Sequence, residues 1–135
     1  MTKNTIVSTI ARVVLGILFL AHGIDKLHMG LNNVEAWFNS IGVPGVLAYV
    51  VATIELVGGI MLIIGIFTRY VSAIFVMMLI GAIFTTKLSI GLLGNGQMAG
   101  YELDLSFIVI AMYLIVAERS PLSLDYLFKI KKHDA

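Results

Sequence analysis

Four stretches of the chain, at about residues 6–27, 46–67, 70–87 and 102–118, are apolar on every side rather than along one stripe. A helix resting on a soluble core shows a polar face, and none of the four does. At a rise of ~1.5 Å per residue, about 20 such residues cross a hydrocarbon layer about 30 Å thick. The pattern therefore predicts an all-α fold, a four-helix transmembrane bundle in one domain over residues 1–135, with the fourth span the shortest. The alternation of polar and apolar positions that a membrane β-barrel needs is absent.

The connections differ in kind. Val34, Trp37, Phe38 and Ile41 recur at helical spacing, which predicts an amphipathic interfacial helix over about 33–41 with Trp37 as its anchor. Gly42 and Pro44-Gly45 should end it before the second span. Thr68-Arg69 reads as a tight turn joining spans two and three. The segment from Leu88 to Gly100 is glycine-rich yet apolar and is expected to dip into the membrane, which irregular backbone tolerates only against protein or water. Ser120-Pro121 reads as an N-cap and first helical residue for a second interfacial segment over about 121–130.

Composition agrees with a membrane chain. Of 135 residues, 59% are hydrophobic and 13% charged, whereas a soluble domain runs about 45–50% and about 25%. A net charge of +1 gives no basic field for nucleic acid. With no cysteine, disulfides, thiol redox chemistry and cysteine-ligated metals are excluded. The first span lacks a small-residue cleavage site and is expected to be retained. Lys3, Arg69, Arg119, Lys129, Lys131 and Lys132 would lie on one side and Lys26 and Lys87 on the other. That bias predicts both termini on the cytoplasmic side of the membrane. The lysines after Phe128 should favour anionic lipid by about 1 kcal/mol each.

The informative residues are charges within the spans, which cost about 2.5–3.5 kcal/mol each and so turn inward and find partners. Glu55 lies near the middle of span two, with Arg12 on span one expected to reach it as a buried ion pair. His22, Asp25, Lys26, Lys87, Glu102 and Asp104 cluster toward the outer ends. Together they outline a polar funnel with Glu55 and Arg12 at its floor. Arg12, Gly16, Phe19, Gly23 and Lys26 share one helical face, as do Glu55, Gly58 or Gly59, Leu62 and Gly65. Glu102 and Asp104, two positions apart, point to different sides, so at most one faces the centre. The candidate catalytic set is Glu55, Arg12 and His22, with Lys26, Lys87, Glu102 and Asp104 at the substrate entrance. The plainer alternative is a register-fixing ion pair with ordinary helix-end charges around it. His22, Asp25 and His28 diverge around their helix, so no metal site is expected. Gly91-x-x-Gly94-x-Gly96 has no preceding strand and is no phosphate loop.

Arg12-x-x-Leu15-Gly16-x-x-Phe19-x-x-His22-Gly23-x-x-Lys26, then Glu55-Leu56-x-Gly58-Gly59-x-x-Leu62-x-x-Gly65, Thr68-Arg69 and Tyr101-Glu102-x-Asp104-Leu105 resemble the DoxX family of small four-span bacterial membrane proteins. The similarity runs over nearly the whole chain and is strongest to oxidoreductase-type members from catechol and hydroquinone stress operons. What the resemblance implies is a link to quinone redox in detoxification or oxidative stress, through a bound quinone or a redox partner protein. It transfers no shared catalytic mechanism. Two other classes stay open on the residues alone. One is a small homo-oligomeric transporter of aromatic or weak-acid compounds with Glu55 coupling protons; the other is a non-catalytic membrane anchor subunit.

Overall fold

The computed structural model describes residues 2–117 and 121–128. The chain runs α1 (Lys3–Met29), α2 (Leu31–Ser40), α3 (Val46–Ile64), α4 (Thr68–Ala82), a π-helical turn (Ile83–Lys87) and α5 (Glu102–Val116). Among the described residues no strand occurs, and the fold is all-helical. Lys3–Met29, Val46–Ile64 and Thr68–Lys87 are each long and apolar enough to cross a membrane. The fifteen residues of α5 are equally apolar and lie alongside α4. Arg119, Ser120, Lys129, Lys131 and Lys132, the last residue of the expected fourth span and the end of the second interfacial segment lie outside the described residues.

Local chemistry sets the ends. Thr2 caps α1 by accepting from the Thr5 amide. Gly30, at φ +89°, turns the chain straight from α1 into α2. The Asn39 side-chain oxygen accepts from the Gly45 amide and folds the following bend back toward α3. The expected turn at Thr68-Arg69 falls one step earlier. Gly65 ends α3 in the left-handed region, Phe67 shares that conformation, and Thr68 and Arg69 already belong to α4. The cause lies far away in sequence: both Asp125 carboxylate oxygens accept from the Phe67 and Thr68 amides, supplying the cap α4 lacks locally. The last helical stretch begins at Leu124 rather than at Pro121, because the Ser123 hydroxyl takes the capping role by accepting from the Tyr126 amide.

Two helix pairs, α1 with α3 and α4 with α5, pack into one bundle. The shared glycine faces do what their spacing promised. A Cβ on Gly16 would stand 2.7 Å from the Gly59 carbonyl oxygen, so only glycine lets these backbones approach so closely. Leu15, Phe19, Leu62, Phe75, Leu79, Phe107 and Ala111 fill the centre. Phe19 stacks on Phe75 with ring centroids 3.9 Å apart and tilts against Phe107 at 5.3 Å.

Candidate functional site

Above that aromatic layer, toward the α2 end of the bundle, lies a cavity of about 690 Å³. All five helices contribute to its wall, which is mostly apolar. Its polar groups come from four places. Lys26, on the last turns of α1, donates to both Glu55 oxygens at 2.8 and 3.0 Å. Glu55 is buried at mid-α3, and Lys26 reaches down to it along its alkyl stem. Lys87 donates to the Asp104 Oδ2 at 2.6 Å, joining the π turn to α5. His22 lines the same space, its ring edge-on to Phe107 at 6.1 Å.

The π turn explains how Lys87 arrives there. The Thr85 and Thr86 hydroxyls donate to the Gly81 and Ala82 carbonyls, competing for the acceptors of the regular helix ladder. One wide turn then re-aims the residues at its end.

Two expectations need correction. Arg12 does not meet Glu55. Antiparallel packing sets it level with the end of α3, where its guanidinium donates to the Leu62 and Ile63 carbonyls at 2.6 and 2.9 Å and to Leu122 at 3.0 Å. Glu55 lies seven residues back from Leu62, roughly 11 Å along the helix axis. The orphan carbonyls of a helix end are the natural partners of a cation. Glu102 is also absent from the cavity wall: it is exposed at the start of α5, and its amide donates to the Leu92 carbonyl. Asp104, two residues on, is the one of the pair that faces inward.

Residues 7–88 match the family model DoxX. The chain belongs to the DoxX family. It is also 38% identical, over 135 residues covering 98% of this chain and 96% of the relative, to "Putative oxidoreductase CatD" of Bacillus subtilis (strain 168). No solved structure matches it. The matched DoxX segment contains His22, Lys26, Glu55 and Lys87 but ends before Asp104.

Sequence reasoning missed the roof of the DoxX cavity. Trp37 and Phe38 of α2, with Ile41 and Val43 after it, line the space rather than only resting in an interface. Their helical spacing was visible, but the surface they cover was not. Asp125 was missed as well, since nothing near it in sequence marks a cap for α4. Among the described residues no group of three or more His, Asp or Glu side chains is placed to hold a metal ion. Chemically, the cavity offers two ammonium groups, two carboxylates and an imidazole to a ligand that is otherwise held by apolar contact. An ammonium has three donors, and Lys26 directs its described hydrogen bonds to Glu55 alone, leaving a donor for a ligand.

Proposed function

We propose that this DoxX protein binds a small oxygen-bearing aromatic ring, a quinone or catechol, in the cavity beneath α2. It would act as a membrane oxidoreductase, or as the quinone-handling subunit of a redox complex, in detoxification or oxidative stress. The observation that carries this is the convergence of Lys26–Glu55, Lys87–Asp104 and His22 on one apolar cavity of about 690 Å³. Small-molecule sites commonly span about 300–1,000 Å³ with a few convergent polar groups. Charge held in a membrane bundle is costly and calls for a task. The oxidoreductase name of the Bacillus subtilis relative supports the same class of chemistry.

Reduction of a quinone to its hydroquinone consumes two electrons and two protons, and both carbonyl oxygens become hydroxyls. A reduced partner protein supplies the electrons. The ammonium groups of Lys26 and Lys87 donate to the ring oxygens and stabilise the negative charge that electron arrival places there. Glu55, Asp104 and His22 pass the protons. Arg12 leaves the catalytic set, because its donors serve the far end of α3. The protein would sit in the bacterial cytoplasmic membrane with both termini inside.

Trp37 is the sole tryptophan of the chain and lines the cavity, so a bound quinone should quench its fluorescence. With the protein in lipid nanodiscs, 2-methyl-1,4-naphthoquinone should quench saturably. Lys87→Met should weaken binding by about ten-fold, since a hydrogen bond to a charged group contributes about 1.5–3 kcal/mol. With reduced membrane fractions added, hydroquinone should form faster than without the protein. Quenching that rises linearly without saturation, together with no change in reduction rate, contradicts the proposal.

A further inference from the structure

The cavity is walled unequally. On the α2 side, Trp37, Phe38 and Ile41 lie across it. That roof is tied down, because the Tyr49 hydroxyl donates to Glu35 at 2.8 Å and lies 3.0 Å from the Asn32 side-chain oxygen. The side between α3 and α4 has no such cover. Near their middles these helices touch, with a Cβ on Gly58 only 2.7 Å from the Phe75 ring. Beside and beyond that contact the cavity itself is lined by Val50 and Ile54 on α3 and by Ile74, Met77 and Gly81 on α4. Met77 keeps 73% of its surface exposed, Ile74 47% and Val50 46%, more than the wall of a closed chamber allows. A Cβ added to Gly81 would meet nothing within 4 Å. Ile74 and Gly81 stand roughly 9 and 20 Å along a helix that crosses a layer about 30 Å thick, so this gap opens at hydrocarbon depth.

We infer that the cavity opens sideways into the bilayer between α3 and α4, and that its natural ligand is a lipid-dissolved ring carrying an apolar tail. The inference rests on the proposed ring-binding role of the same cavity and adds the route and the substrate class. The polar ring sits against Lys26–Glu55 and Lys87–Asp104, while the tail leaves through the cleft and stays among acyl chains. Nothing is gained by moving a tail from lipid to protein, since both are apolar. The signature is therefore tolerance: tail length should not matter when ligands are compared at equal mole fraction in the bilayer.

The probes are 2-methyl-1,4-naphthoquinone and the same ring bearing a seven-unit isoprenoid tail, titrated into nanodiscs against Trp37 fluorescence. Both should bind equally within about three-fold, a difference under 1 kcal/mol. Gly81→Phe fills the cleft without meeting a neighbouring atom at its Cβ. It should weaken the tailed probe by about ten-fold or more relative to the bare ring. If the bare ring binds and the tailed one does not, the cavity is closed to lipid and the inference is overturned while the ring-binding role stands. Equal loss of both probes, or no loss of either, in Gly81→Phe also overturns it. If neither probe binds the unaltered protein, the ring-binding role itself fails.

Discussion

Glu55 and Lys26 are the residues on which the site depends, and their energetics are asymmetric. The Lys26 side chain keeps 19% exposure and Glu55 only 6%. If Glu55 is replaced, Lys26 can lift its ammonium toward the interface along its flexible stem. If Lys26 is replaced, a carboxylate stays buried without its partner. Lys26→Met should therefore destabilise by about 3 kcal/mol and Glu55→Gln by clearly less, with the double variant recovering much of the loss. Equilibrium unfolding in mixed micelles checks this, and equal costs for the two single variants would argue against the pairing. At this scale much was legible in the sequence. The in-span charges include every charged residue that lines the cavity, and the spacing of Glu102 and Asp104 showed that at most one faces the centre without showing which. The partner of Glu55 was not legible. Choosing between Arg12 and Lys26 requires the register of α1 against α3, which is fixed by the Gly16–Gly59 approach and not by either charge.

At the scale of elements, helix existence and type followed from the apolar stretches, while the α3–α4 junction followed from contacts distant in sequence. The start of α4 depends on Asp125, and the end of α3 on Arg12. These two residues clamp the same corner of the bundle, away from the cavity. Asp125→Ala removes acceptors from two helix-start amides and should cost about 0.5–2 kcal/mol. Arg12→Met leaves the Leu62 and Ile63 carbonyls without their cationic donor. Both variants should lower the unfolding midpoint yet bind a quinone with unchanged affinity once folded. A loss of affinity in Arg12→Met at full folding would return the guanidinium to the site. The α2 helix shows the converse limit. Its amphipathic spacing predicted a helix correctly, but a hydrophobic face does not declare whether it covers lipid or a cavity.

The whole molecule is a membrane-embedded DoxX bundle whose cavity-lining charges lie near one end. In the proposed orientation, with both termini inside, that end would face outward and its cavity would meet the outer half of the bilayer. The absence of cysteine makes orientation directly testable, because each introduced thiol is the only one present. In intact cells, Asn33→Cys and Gln97→Cys should react with a membrane-impermeant maleimide, while Lys3→Cys should react only after lysis. The reverse pattern would invert the bundle. The central claim, a ring held between Lys26–Glu55 and Lys87–Asp104, is tested most directly by a photoreactive naphthoquinone crosslinked in nanodiscs and mapped by mass spectrometry. Label on cavity-lining residues such as Phe19, Trp37, Leu79 and Phe107, displaced by excess unlabelled quinone, is the expected result. Label confined to the Arg12 end, or spread over the lipid-facing surface without displacement, would contradict it.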